Sequence, residues 1–479
     1  MTMTVMPRAT LIEPVVMLAT ILQWIVLATL TGVVVGSGTS LFLHGLFFLS
    51  DQTASISLSW QMALLPLGGL LNGLLLYYGY KINRTGLGDS VIAAVHRQSG
   101  KMPLATIAIK PVAAIITLAS GGSAGKEGPC SHIGGSLASG LGRLLGLNVE
   151  LQKRIVACGV SAGFASVFGT PIAGAIYGVE VLAIGRIRHD FLFPAIIAGV
   201  ASFEVSKFWN IPYQYYTMQL LPHFDGVLFF KTIFIGIVCG IVAGIFVEMV
   251  VLARRLFTRL RARYDLWPPL MPLLGGMLLS ALIIVIPRDY LGLSLPLMDR
   301  ALSGEAMPYL GFFWKTLLVA ITLGSGFYGG IVTPQFVIGA ITGNAFAHLL
   351  GISPTLGAAV GLVAVVASAS NTPIAAILMG VELFGGVTGT IYVAGAAMAA
   401  YVMIGHRSVY PDQLVAYPKS TWMHGGFDLP LGQEKLRLSF GLLKWISRMQ
   451  TRRDHLLRRN AGSRRHAQRA DNDNRESGA

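Results

Sequence analysis

The sequence has 479 residues, of which 53% are hydrophobic and only 12% are charged, and its net charge is +14. A water-soluble protein of this size could not keep so little charge on its surface, so the composition excludes a disordered chain and argues against a soluble multidomain enzyme. It predicts an all-α polytopic membrane protein, integral and multi-pass in a plasma or inner membrane, with the lipid bilayer as its main surroundings.

The chain begins with a short segment, 1–13, which we expect on the cytoplasmic side, and continues in an apolar run from about Pro14 to Val35. This run is too long for a signal peptide and lacks a small-residue cleavage site, so it predicts a first membrane segment. Further apolar stretches recur as far as residue 404. Several could span a bilayer, which needs roughly 20 residues, whereas others are short or broken by Gly, Ser and Pro. Broken segments of this kind indicate a transport site.

Two parts of the sequence repeat each other. Residues 110–147 align with 315–352 without a gap, and the shared residues include a lysine, several glycines and a proline. A second block, further along each copy, shares Thr-Pro-Ile-Ala and Gly-Val-Glu. The repeat predicts two related membrane halves, 14–229 and 230–430, as in many secondary transporters. The residues alone leave open whether the halves are inverted.

The most informative segment is Gly121-Gly-Ser-Ala-Gly-Lys-Glu-Gly-Pro129, which precedes an apolar helix. Glu127 is a functional candidate because an ionisable group inside a membrane is costly. Gly125 and Gly128 let backbone N–H groups approach a ligand, and a helix N-terminus attracts anions. Glu127 would then be a tethered anion that competes with a mobile one and leaves when it is protonated. The alternative is a carboxylate that only caps its own helix.

The second half carries a matching turn, Gly329-Gly-Ile-Val-Thr-Pro334. Ile331 and Val332 align with Lys126 and Glu127, and they offer backbone N–H groups at another helix start. Two helix N-termini from two halves, directed at one point, would form an uncharged anion site. Such a site binds weakly enough to release its ion.

These segments resemble those of the CLC family of voltage-gated chloride channels and proton–chloride antiporters. Gly-Lys-Glu-Gly-Pro, 125–129, is similar to the family's Gly-Arg/Lys-Glu-Gly-Pro motif. Gly329-Gly-Ile-Val-Thr-Pro334 resembles its Gly-x-Phe-x-Pro loop, and His406-Arg-Ser-Val-Tyr410 resembles the segment with the pore tyrosine. The resemblance implies a homodimer in which each subunit has its own pore, built from an inverted repeat of full and broken helices. It requires no cofactor.

The resemblance also assigns roles to residues. Glu127 becomes the gating glutamate of a chloride pathway. The implied anion-binding residues are Gly125, Lys126, Gly128, Ile331, Val332 and Tyr410.

The sequence departs from the family pattern at two positions that bear on transport. In Thr85-Gly-Leu-Gly-Asp-Ser90, Leu87 stands where the family has an anion-binding serine. Val181 occupies the proton-relay position at which antiporters usually have a glutamate, which favours channel-like conduction of chloride. Fluoride–proton antiporters of the family also lack the serine and have a loop like that at Val332, although they tend to place a glutamate where Ile331 stands. A proton-coupled chloride or fluoride antiporter is therefore the alternative.

The last 45 residues, 435–479, contain twelve Lys or Arg and four Asp or Glu, which is more than half of the net positive charge. A basic segment next to a membrane is typical of a cytoplasmic tail near anionic lipid, and we favour this over nucleic-acid binding. The tail is too short and too charged to form the regulatory CBS domains of many relatives, so we expect none.

One alternative belongs to a different class of protein. An intramembrane hydrolase would need a nucleophile held by a base, and Ser123 or Ser131 with His132 is the visible pairing. Nothing around it resembles a nucleophile elbow, and the repeat already accounts for the glycines. The three cysteines have no metal-ligand spacing, so we expect no metal site. We also expect no enzyme activity and no cofactor.

Overall fold

The computed structural model describes residues 12–83, 90–216, 224–385, 389–425 and 428–431, together with 433, 437–438 and 441. Leu87, most of the predicted N-terminal segment and most of the basic tail lie outside these residues. The predictions made for them therefore stay predictions.

The described residues form sixteen α-helices in two series of eight. The first series comprises α1 (Ile12–Ala54), α2 (Leu58–Asn83), α3 (Val91–Arg97), α4 (Thr106–Ala119), α5 (Glu127–Leu144), α6 (Val149–Phe168), α7 (Pro171–Glu180) and α8 (His189–Phe208). The second comprises α9 (Gly226–Tyr264), α10 (Leu270–Leu282), α11 (Leu295–Leu302), α12 (Gly311–Ser325), α13 (Val332–Leu350), α14 (Pro354–Ala369), α15 (Pro373–Phe384) and α16 (Thr390–Met403). A 3₁₀ turn, Arg288–Tyr290, precedes α11.

Within the described residues, four helices are long and apolar enough to cross a membrane: α1, α2, α8 and α9. Several of the others are shorter apolar helices, as expected for broken segments at membrane depth. The mixture of full and broken helices confirms the predicted all-α membrane architecture.

The two series repeat in packing as well as in order. In the first half a Cβ atom at Gly134 would lie 2.0 Å from the carbonyl oxygen of Gly159, so α5 and α6 touch through their backbones. In the second half a Cβ atom at Gly339 would lie 2.3 Å from the carbonyl oxygen of Gly361, which is the same contact between α13 and α14. Small residues are required wherever membrane helices approach this closely.

Helices α7 and α15 cap each other and reveal how the halves are related. Glu180, at the end of α7, accepts hydrogen bonds from the N–H groups of Ile374 and Ala375 at the start of α15. Glu382, near the end of α15, accepts the equivalent bonds from the start of α7. This exchange requires the two helices to run antiparallel, as in an inverted repeat. Each carboxylate also satisfies backbone donors that a helix start leaves unpaired.

Five two-residue strands depart from a purely helical chain: β1 (Ala183–Ile184), β2 (Leu414–Val415), β3 (Met423–His424), β4 (Leu429–Pro430) and β5 (Arg437–Leu438). Strand β2 pairs in parallel with β1 and antiparallel with β4, and β3 pairs antiparallel with β5. The pairing of β1 with β2 ties the segment after Tyr410 to the segment after α7. It therefore helps to place Tyr410.

Candidate functional site

The Glu127 side chain lies where the starts of α5 and α13 meet. Its Oε1 accepts a hydrogen bond from the Val332 N–H, and its Oε2 accepts one from the Thr333 hydroxyl at 2.7 Å. The residue is only 1% exposed. Both partners belong to the second half, so the carboxylate occupies the start of α13 and does not merely cap its own helix. The carboxylate therefore sits at a helix N-terminus with one donor to each of its oxygens.

Gly125 and Gly330 form the floor beneath this carboxylate. Their N–H and carbonyl groups pair reciprocally, at 2.8 Å and 2.7 Å, in an antiparallel bridge between the halves. A Cβ atom at Gly125 or Gly330 would lie 2.3 Å or 2.2 Å from a Glu127 carboxylate oxygen, so glycine at both positions leaves the room that the carboxylate occupies. The Gly125 N–H donates to the Gly330 carbonyl here, and its role in anion binding stays a prediction.

The first of two cavities, here the Tyr410 cavity, has a volume of about 170 Å³. Its walls include Glu127, Gly128, Ile331, Val181 and Tyr410. The structure thus brings together five residues singled out from the sequence. The Tyr410 hydroxyl lies 3.1 Å from the buried Tyr177 hydroxyl, which holds the ring at the cavity wall.

The second cavity, here the Lys126 cavity, has a volume of about 340 Å³ and is lined by Lys126 and Thr333 among others. The Lys126 ammonium lies 5.1 Å from the centroid of the Phe47 ring. Lys126 is therefore placed apart from Tyr410, in a different cavity, and not in one shared cluster of ligands. Glu127 lines the first cavity and its partner Thr333 lines the second, so the Glu127–Thr333 pair stands between the two.

Gln413 anchors the segment that carries Tyr410. Its side chain is fully buried, and its amide nitrogen donates to the carbonyl oxygens of Val181 at 3.0 Å and Ser370 at 2.8 Å. Its amide oxygen accepts from the Ser408 hydroxyl, and that hydroxyl oxygen accepts the Tyr410 N–H at 3.0 Å. One side chain therefore joins the ends of α7 and α14 to the Tyr410 backbone.

The pairing required by the hydrolase alternative does not form. The Ser123 hydroxyl donates to the Tyr290 carbonyl at 3.1 Å and accepts from the Lys315 ammonium at 2.8 Å. The Ser131 hydroxyl donates to the Gly128 carbonyl of its own helix. Because both hydroxyls have other partners, neither is held by His132 as a nucleophile would be by its base.

Two further residues, Thr333 and Gln413, contribute to the site although no motif in the sequence singled them out. Thr333 lies in the second turn, Gly329-Gly-Ile-Val-Thr-Pro334. A hydroxyl next to the unpaired N–H groups of a helix start is the feature that could have identified it. Gln413 gave no such signal, because its partners Val181 and Ser370 lie far from it in the sequence.

Comparison with known proteins agrees with this geometry. The family model for voltage gated chloride channels matches residues 68–405. A "chloride/fluoride channel protein" from Pseudomonas syringae pv. tomato is 33% identical over 420 residues, covering 85% of this chain and 90% of that protein. The crystal structure of a CLC-type fluoride/proton antiporter superposes with a TM-score of 0.75 at 28% identity, covering 82% of this chain and 98% of that one. A slow cyanobacterial Cl−/H+ antiporter, at 20% identity and a TM-score of 0.66, shares the fold.

Proposed function

Since the chain belongs to the CLC family of voltage-gated chloride channels and is therefore an anion transporter, we propose that it exchanges a small halide, with fluoride preferred, for protons. Glu127 is the gate and the proton carrier in this proposal. The observation that supports the proposal is the pair of hydrogen bonds that Glu127 accepts from the start of α13. The carboxylate holds the donors that a mobile anion would need.

The exchange follows from competition for these donors. An ionised Glu127 fills the site and separates the Tyr410 cavity from the Lys126 cavity. A protonated Glu127 is a weaker acceptor, because charge-assisted hydrogen bonds are roughly twice as strong as neutral ones. An anion then displaces the side chain, and the proton travels with Glu127 to the other cavity. Each anion that enters is thus linked to one protonation of Glu127.

Two features support fluoride as the preferred anion. Fluoride is close in size to a single carboxylate oxygen, and the Val332 N–H and the Thr333 hydroxyl each hold one oxygen of Glu127, whereas chloride is larger. Leu87 stands where the family has an anion-binding serine, and loss of that serine resembles the fluoride–proton antiporters of the family. The relative from Pseudomonas syringae is named for chloride and fluoride, and the antiporter at 28% identity is named for fluoride and protons.

Channel-like conduction of chloride, the expectation from the sequence, is the second candidate. Val181 is the observation that favours it, because this buried residue lines the Tyr410 cavity and cannot relay a proton. The comparisons give conduction no preference over exchange. In the antiport proposal, protons reach Glu127 through water in the Tyr410 cavity, without help from residue 181.

Two further proposals concern assembly and orientation. We propose that two copies form a dimer with one pathway each, and that the basic tail lies in the cytoplasm. Chemical cross-linking in native membranes and protease digestion of sealed vesicles test them. A monomer in the membrane, or a tail cleaved only from the outside, would contradict them.

Ion efflux from proteoliposomes tests the choice of anion. Vesicles loaded with fluoride or chloride are diluted into ion-free buffer, and the release is followed with ion-selective electrodes. We expect fluoride to leave faster than chloride. Equal release of both anions, or faster release of chloride, would contradict the fluoride preference. Glu127→Gln, which keeps the size but cannot carry a proton, is the matched variant: its release should no longer depend on pH.

A further inference from the structure

A groove on the surface of the protein lies between α9 and α16, away from the two cavities around Glu127. Its volume is about 560 Å³, and its apolar lining includes Gly240, Ile241, Gly244, Ile245, Leu252 and Met403. Gly240 packs against α16, where a Cβ atom would lie 2.8 Å from Met403, whereas Gly244 is open, since the nearest atom to a Cβ there would be Cδ of Arg407 at 3.9 Å. The surrounding large apolar side chains are exposed. The groove is therefore open to its surroundings, and its apolar lining suits a lipid acyl chain.

Positive charge is concentrated at one end of the groove. Helix α9 has 39 residues, so it is about 58 Å long and extends well past a hydrocarbon layer of about 30 Å. Its last turns, between Met249 and Tyr264, contain five arginines and no acidic residue. This basic end must therefore lie at the level of the lipid headgroups. Arg255 belongs to it and also lines the groove.

Two arginines, Arg255 and Arg407, and one acidic residue, Glu248, line the groove itself. Arg407 pairs with Glu248 at 2.7 Å, and both side chains are more than half exposed. Among the residues that the structure describes, Arg255 forms no ion pair with a carboxylate. The groove thus combines an apolar bed with a guanidinium whose charge no acidic side chain neutralises.

We propose that this groove binds an anionic phospholipid, with an acyl chain along Ile241, Gly244 and Ile245 and the phosphate against Arg255. Guanidinium groups match phosphate oxygens in geometry and charge. A second copy of the chain fits less well, because a two-fold contact would set the same excess of arginines against itself. The site requires only the lipid and the groove, so it does not depend on which anion the protein transports or on proton coupling.

Native mass spectrometry of the full-length protein in mild detergent tests the site. The probes are phosphatidylglycerol and phosphatidylcholine with identical acyl chains. We expect the protein to retain phosphatidylglycerol in preference. Arg255→Gln removes a guanidinium that would form charge-assisted hydrogen bonds with the lipid phosphate, so it should reduce retention at least about tenfold. Arg263→Gln is the matched control, because it removes the same charge from α9 outside the groove and should leave retention unchanged.

Three outcomes would overturn the proposal. Equal losses in Arg255→Gln and Arg263→Gln would mean that diffuse charge, and no defined site, holds the lipid. Displacement of phosphatidylglycerol by millimolar inorganic phosphate would mean that the groove selects free phosphate. Disulfide cross-links between two Gly244→Cys copies in the bilayer would mean that a second copy of the chain covers the groove.

Discussion

Replacing Gly330 with alanine should expel the gate from its site. A Cβ atom there would lie 2.2 Å from Oε1 and 2.4 Å from Cδ of Glu127, whereas ordinary contacts begin at 3.4 Å. The carboxylate would have to move by more than 1 Å and would lose its bonds to Val332 and Thr333. Hydrogen bonds to a charged group contribute about 1.5–3 kcal/mol each. The loss of about 3–6 kcal/mol would lower the occupancy of the site at least about a hundredfold.

The assay is anion flux in proteoliposomes with and without a pH gradient. Gly330→Ala should give a leak that ignores the gradient, as Glu127→Ala should. The double variant should leak more slowly than Glu127→Ala, because the added methyl group stands 2.2 Å from the Oε1 position that the anion would take. Gly45→Ala is the control, since a Cβ there would be 3.5 Å from Ile115, an ordinary contact. Gradient-driven transport at the wild-type rate in Gly330→Ala would show that the carboxylate is not expelled, and equal flux in the double variant and in Glu127→Ala would show that the anion does not use this position.

Two other substitutions test the ligands and the support of the site. Thr333→Val keeps the size of the side chain but removes its hydroxyl donor, so it should raise the half-saturating fluoride concentration at least about tenfold. Thr333→Ser keeps the hydroxyl and should leave that concentration unchanged. An unchanged concentration in Thr333→Val would exclude the hydroxyl as a ligand. Gln413→Leu deprives two backbone carbonyls of their donor and should lower the free energy of unfolding by about 2 kcal/mol or more. A thermal midpoint equal to that of the wild type in detergent would show that Gln413 does not hold the Tyr410 segment.

Much of the fold could be predicted because it repeats. The alignment of Glu127 with Val332 locates two helix starts, and both α5 and α13 begin at those residues. Glu127 could be recognised as a functional residue because an acidic side chain within an apolar membrane segment has few structural uses. The same logic did not reveal that the Glu180 and Glu382 carboxylates exchange partners across the repeat. That exchange depends on the antiparallel arrangement of α7 and α15, which the residues alone left open.

The details of the site needed the structure because they depend on contacts between distant segments. Gly125 lies in a glycine-rich segment typical of an anion-binding turn, yet its N–H donates a hydrogen bond to the Gly330 carbonyl of the other half. Lys126 is adjacent to Glu127 in sequence, but successive side chains at a helix start point in different directions. Lys126 therefore lines the Lys126 cavity, whereas Glu127 lines the Tyr410 cavity. No local pattern marks Gln413, whose partners all come from other segments or from the turn before it.

In the proposed mechanism, Glu127 couples anion movement to protons. The most direct measurement places equal fluoride on both sides of a proteoliposome, imposes a pH difference of one unit and clamps the membrane potential at zero. One unit of pH provides about 1.4 kcal/mol, which can sustain about a tenfold fluoride gradient if one anion exchanges for one proton. We expect the wild type to move fluoride uphill toward this limit and Glu127→Gln to move none. Absence of uphill movement in a wild-type protein that conducts fluoride passively would contradict the account.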